Sequence, residues 1–136
     1  RGIKLKEAKV TSEEDFSSLV TLIIKSESGD FSVSGSIFGK KEPRFTKWNQ
    51  HTIDVIPKGN VLIIENDDKP GVIGLLGDAL GKRNINIGRL YLSRKNNSTD
   101  TESALAFISV DSPVSEETLE NIANLPQVKS IEQVIF

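Results

Sequence analysis

Residues 60–74 read NVLIIENDDKPGVIG, and residues 80–88 read LGKRNINIG. Val61 to Ile64 is a short, continuous apolar run of the kind a buried strand uses. The acidic pair Asp67-Asp68 follows it. Pro70 comes next, a residue suited to the first position of a helix because it has no amide hydrogen to leave unpaired. From there Val72, Leu75, Leu76, Ala79 and Leu80 recur at helical spacing. The stretch therefore reads as strand, polar hinge and helix, and everything downstream repeats that grammar.

Ile85 to Leu92 and Ala104 to Val110 read as strands, with the polar loop Asn96-Asn97-Ser98-Thr99-Asp100 between them. Val114 and Leu119 bracket Ser115 as a hydrophobic staple brackets an N-cap. Leu119, Ile122, Ala123 and Leu125 supply the apolar face of a second helix, and Val128 to Phe136 closes with a strand. The order β-α-β-β-α-β predicts an α+β, ferredoxin-like domain over residues 59–136, with two helices on one face of an antiparallel sheet. Upstream, Pro57-Lys58-Gly59 breaks the pattern. Residues 1–58 read as a small antiparallel β-rich segment. Ser18 to Glu27 is rich in strand formers and ends at the turn Ser28-Gly29-Asp30. Phe31 to Phe38 alternates, with Phe31, Val33 and Ile37 on one side and Ser32, Ser34 and Ser36 on the other. Phe45 to Trp48 and Thr52 to Ile56 flank a turn at Asn49-Gln50.

Composition removes several classes of function. There is no cysteine among the 136 residues, so disulfides, thiol catalysis and cysteine-built zinc sites are excluded. A single histidine, His51, excludes any His-His metal motif. With 17 basic and 19 acidic side chains and a net charge of -2, nothing favours nucleic acid as a partner. No apolar stretch approaches the length that spans a bilayer, so no membrane partner is expected. No signal-peptide pattern is present, and a cytoplasmic protein is expected. The chain starts at Arg1 and has no methionine, which suggests a piece of a longer protein.

The residues that carry chemistry are few. His51 sits in an expected hairpin turn, with no nucleophile motif around it, and reads as an exposed turn histidine. Gly71, Gly74, Gly77 and Gly81 match neither G-x-x-x-x-G-K-[ST] nor G-x-G-x-x-G, so a nucleotide cradle is rejected. Each glycine inside a helix costs about 1 kcal/mol relative to alanine. The compensation is close approach of the sheet, of a second subunit or of a ligand at the helix start. Gly71 lies where first-turn amides attract a carboxylate. Asp67 or Asp68 reads as an N-cap, as a partner for an α-ammonium group, or as both. Asn86 opens the next strand, and its amide both donates and accepts. Lys40, Lys41 and Arg44 form a basic cluster, usually a solvated turn, with a small-anion site as the minority reading.

These residues carry a resemblance. The segment from Asn60 to Gly74 and the run Leu80-Gly-Lys-Arg-Asn-Ile-Asn-Ile-Gly88 resemble ACT domains, and more narrowly those that end the D-3-phosphoglycerate dehydrogenases. Val33-Ser-Gly-Ser-Ile-Phe-Gly39, Pro43-Arg44 and Ile53-Asp54 resemble the second half of the intervening, allosteric substrate binding domain of that enzyme's long form. The resemblance implies a regulatory region that binds a small amino acid, typically L-serine, at an interface between two ACT copies, with feedback inhibition as the result. It implies Asp68 for the ammonium group, Asn86 for the ligand's backbone polar atoms, and amides near Gly71 and Val72 for the carboxylate. Asn66 stands where family members often carry a ring. It also implies a homo-oligomer. Catalysis and its cofactor NAD belong to a domain absent from this chain, which itself is expected to hold no cofactor. Two alternatives stand: a dimerisation connector with an empty site, and the regulatory region of an L-serine dehydratase.

Overall fold

The computed structural model describes residues 4–11, 19–38, 42–94 and 103–136. The chain forms two compact units, Arg1–Pro57 and Lys58–Phe136. No helix among the described residues is long and apolar enough to cross a membrane.

The first unit is an antiparallel meander of β1 (Lys4–Thr11), β2 (Leu19–Ser26), β3 (Gly29–Phe38), β4 (Glu42–Trp48) and β5 (His51–Val55), each strand pairing with its neighbour in sequence. Gly29 takes φ +127 after the turn that joins β2 to β3, a conformation open to glycine. β3 alternates as its sequence predicts, and its serine side holds the buried positions Ser34 and Ser36. Ser34 Oγ lies 2.9 Å from Thr21 Oγ1 on the facing strand, so the buried hydroxyl is satisfied. On the other face Trp48 meets Phe31 edge-on at 4.9 Å and Phe45 at 6.3 Å. Asn49 turns the β4–β5 hairpin at φ +52. Its amide donates to Ser32 O at 2.7 Å, and its Oδ1 accepts from Ser32 N at 2.9 Å. His51 is not the exposed turn residue that the sequence predicts. It is 6% exposed, because it opens β5 directly opposite Trp48 rather than sitting at the bend.

The second unit runs β6 (Asn60–Asp67), α1 (Val72–Gly81), β7 (Ile87–Arg94), β8 (Ser103–Val110), α2 (Glu116–Ala123) and β9 (Val128–Ile135). Its sheet order is β7-β8-β6-β9, with every pair antiparallel, which is the expected α+β, ferredoxin-like arrangement. Leu62, Ile64, Ala106 and Ile108 from the two central strands meet Val72, Leu76 and Leu80 of α1 and Ile122 of α2. Burying such side chains supplies about 1.5–3 kcal/mol each and dominates the stability of the unit. The Ser115 hydroxyl caps α2 by accepting from Thr118 N at 3.3 Å, and Val114 and Leu119 both pack on the core. Ala123 is exposed, and the buried α2 positions are Thr118 and Ile122, spaced i and i+4. Gln133 clasps the loop before α2. Its Oε1 accepts from Val114 N at 2.7 Å and its Nε2 donates to Val114 O at 3.1 Å.

Helix α1 departs from expectation at both ends and on one face. It begins at Val72 rather than Pro70, because Gly71 is the N-cap at φ +88, a left-handed backbone that interrupts the helix there. No side chain caps it, so neither Asp67 nor Asp68 does so. At the other end Asn84 adopts φ +56, and Ile85 N donates to Leu80 O at 3.1 Å. That closure holds Ile85 in the turn and delays β7 to Ile87. A Cβ built on Gly74, Gly77 or Gly81 meets nothing within 4 Å, so close approach of the sheet does not account for these glycines. Leu75, expected on the core face, is 41% exposed. Gly77→Ala is accordingly expected to stabilise the isolated chain by about 0.5–1 kcal/mol through helix propensity alone. A rise in thermal midpoint by scanning calorimetry checks this, and a fall would reveal a contact on that face.

Candidate functional site

β6 delivers a polar cluster to one end of the second unit. Asn66 is 2% exposed. Its Nδ2 donates to Asp67 O at 2.7 Å, while its Oδ1 is buried with no hydrogen-bond partner. The carbonyl of Asp67 can only accept, so it fixes which amide atom faces it. Asp67 pairs with Lys69, Nζ to Oδ2 3.3 Å. Asp68, in the loop beyond β6, pairs with Arg94, Nε to Oδ2 3.0 Å, and the Asp68 side chain is 17% exposed. Val72 N, the first amide of α1, donates to Lys69 O at a long 3.5 Å. The cluster thus holds a carboxylate, a guanidinium and an orphan acceptor at the mouth of α1.

Asn86 does not share this end. It precedes β7, where its N donates to Asp111 Oδ1 at 3.3 Å and its O accepts from Asp111 N at 3.3 Å. Ile87 pairs with Val110, and Arg94 pairs with Ala104, so β7 runs from the Asn86 end to the Asp68 end. A strand of eight residues spans about 25 Å. Within one chain, therefore, Asp68, Asn66, Gly71 and Val72 gather at one end of the sheet and Asn86 lies at the other. β7 is also an edge of its sheet, and it carries the exposed Leu90 and Leu92. Both pair with core-facing β8 residues, Ile108 and Ala106, so they lie on the helix-bearing face.

The basic cluster does not present a free cation at Arg44. Its Nη1 donates to Asp54 Oδ1 and Oδ2 at 2.7 and 2.9 Å, and its Nη2 lies 3.5 Å from Glu42 Oε2. The Asp54 hydrogen bond, followed by the Asp54 charge, raises the Arg44 pKa. The guanidinium also sits 5.7 Å from the Phe38 ring centroid. Lys40 and Lys41 lie outside the described residues, as does the Asn96–Asp100 loop. Among the described residues no three His, Cys, Asp or Glu side chains gather into a possible metal site. The member that the sequence did not single out is Arg94. It sits 26 positions beyond Asp68, and only the β6–β8–β7 pairing brings the two together.

The chain is similar in sequence to known proteins. Residues 1–49 match the D-3-phosphoglycerate dehydrogenase intervening domain. The chain is 34% identical to a D-3-phosphoglycerate dehydrogenase of Archaeoglobus fulgidus over 125 residues, covering 92% of this chain and 23% of that protein. It is 30% identical to the enzyme of Methanocaldococcus jannaschii over 131 residues, covering 96% of this chain and 24% of that protein. A probable L-serine dehydratase beta chain of Bacillus subtilis is 23% identical over 113 residues, 83% of this chain and 50% of that protein. The chain spans about a quarter of the length of the dehydrogenases it matches. Over nearly its whole length it is similar to these enzymes, consistent with a C-terminal region of a D-3-phosphoglycerate dehydrogenase whose intervening domain includes residues 1–49.

Proposed function

We propose that this chain is an amino-acid-sensing regulatory region of a D-3-phosphoglycerate dehydrogenase, and that L-serine binds where two copies of the second unit meet. The observation that carries the reading is the polarity of β7. Asp68 and Asn86 sit at opposite ends of one chain and can converge only if each comes from a different copy. Two β7 edges running antiparallel around a two-fold axis would put the Asp68 end of one copy beside the Asn86 end of the other. The exposed Leu75, Leu90 and Leu92, and the open glycine face of α1, support the same arrangement. Such a site occurs twice per dimer. Its occupancy would bias how subunits sit in the whole enzyme, and with that the distant oxidoreductase chemistry and its NAD.

The test is calorimetric titration of this chain with L-serine, with glycine and L-alanine as controls. Saturable serine binding with rising thermal stability is the expected result. No heat and no stabilisation at millimolar serine would overturn the sensor reading and leave a subunit connector. Gly77→Leu separates assembly from folding. A leucine there meets none of the chain's own atoms near its Cβ, so the fold is expected to survive while the sedimenting species shifts towards monomer. One observation favours a second reading, the regulatory region of an L-serine dehydratase: the likeness to the Bacillus subtilis beta chain. The dehydrogenase reading is preferred, because the first 49 residues match that enzyme's own intervening domain.

A further inference from the structure

We propose that Arg94 is the carboxylate-binding and specificity-determining residue of the amino-acid site, one jaw of a charged pair whose other jaw is Asp68. The inference rests on the reading of the Asp68 end as an effector site. Arg94 pairs with Asp68, with Nε 3.0 Å from Asp68 Oδ2. Its side chain is 72% exposed, so much of the guanidinium is open to a ligand. The ion pair holds the guanidinium beside Asp68, and a guanidinium offers a planar fork of donors suited to a carboxylate. The Asp68 carboxylate is the group of the pair that suits an ammonium. The pair thus presents a negative and a positive group side by side. An α-amino acid carries the same two charges, in the opposite sense, on neighbouring atoms. It can lie along the pair and satisfy both without breaking it.

A second, independent observation lies in the same row of the sheet. Arg94 pairs with Ala104, and Ala104 pairs with Asn66. Directly paired residues of antiparallel neighbours share a face, so Asn66, Ala104 and Arg94 line up across three strands, with a methyl group in the middle. Asn66 Oδ1 is the buried acceptor that lacks a donor. An ammonium hydrogen or a ligand hydroxyl would fill that role. Val72 N already donates to Lys69 O, at 3.5 Å, and Arg94 adds a full positive charge that a helix amide does not offer a carboxylate. The ligand class is therefore a small α-amino acid, not an amine or a carboxylic acid alone.

The experiment titrates this chain, Arg94→Gln and Asp68→Asn with L-serine and with ethanolamine, which is serine without its carboxylate. The unaltered chain is expected to bind serine at least tenfold more tightly than ethanolamine. Arg94→Gln is expected to lose tenfold or more in serine affinity, with its ethanolamine binding and its melting temperature unchanged. Asp68→Asn is expected to weaken both ligands, because both carry the ammonium group. If Arg94→Gln binds serine as tightly as the unaltered chain, or more tightly, the pair is a surface ion pair or a latch, and the proposal is overturned while the sensor reading stands. If the unaltered chain binds no serine, the sensor reading falls and takes this proposal with it.

Discussion

Asp68→Ala is expected to abolish serine binding, by a factor of about a hundred or more, while moving the melting temperature by no more than about 2 °C. The two halves of this expectation have separate physical origins. A charge-assisted contact to a ligand ammonium, lost with its partner group left behind, costs about 2–5 kcal/mol. Each 1.4 kcal/mol is about tenfold in affinity. The folded chain loses far less. Asp68 caps no helix, since Gly71 occupies that position without a side-chain contact, and its ion pair with Arg94 is to a largely exposed side chain. Such pairs contribute at most about 1 kcal/mol. Titration calorimetry beside a thermal scan separates the two effects. Retained serine binding in a folded variant would place the site elsewhere.

Leu76→Ala should do the reverse, unfolding the second unit without touching a polar group of the site. Leu76 is fully buried between α1 and the sheet, among Leu62, Ile64, Ile108 and Ile122. Truncating such a leucine costs about 2–5 kcal/mol, part from lost transfer energy and part from the cavity left behind. A domain of this size has only about 5–15 kcal/mol in total. At about 4–8 °C per kcal/mol, a loss near 3 kcal/mol lowers the thermal midpoint by about 15 °C. The next residue makes the contrast. Leu75 points out of the core, so Leu75→Ala should leave the midpoint of the isolated unit nearly unchanged and act on association instead. Equal effects at both positions would mean that α1 is rotated about its axis from the orientation described.

What could be read from the sequence was whatever local chemistry decides. The Val61–Ile64 run, the helical recurrence of Val72, Leu76 and Leu80, and the Val114–Ser115–Leu119 staple each operate within a few residues, and the βαββαβ order follows from them. Three features needed partners far along the chain. Asp68 looks like a cap from its neighbours, but its partner is Arg94, delivered by two strand pairings. The glycines of α1 look like packing positions, yet the space beside them is open. His51 follows a turn dipeptide and so reads as exposed, but the register with Trp48 buries it. The opposite placement of Asp68 and Asn86 was likewise hidden. It depends on the run of β7 between Asn86 and Arg94 and on the pairing that sets Arg94 beside Asp68.

The two sheets also differ in how far along the chain their pairings reach. In the first unit every strand hydrogen-bonds to the strand just before or after it, so each pairing closes a short loop. In the second, the central strand β6 has no sequential partner. Asn60 faces Val110 on one side and Ile135 on the other. Folding rates fall as such separations grow. The meander can therefore form as soon as its strands leave the ribosome. β6 must wait for β8 to gain its first partner and for β9 to gain its second. Until β9 arrives one edge of β6 is open to pairing with another chain, and shortening β9 would keep it open.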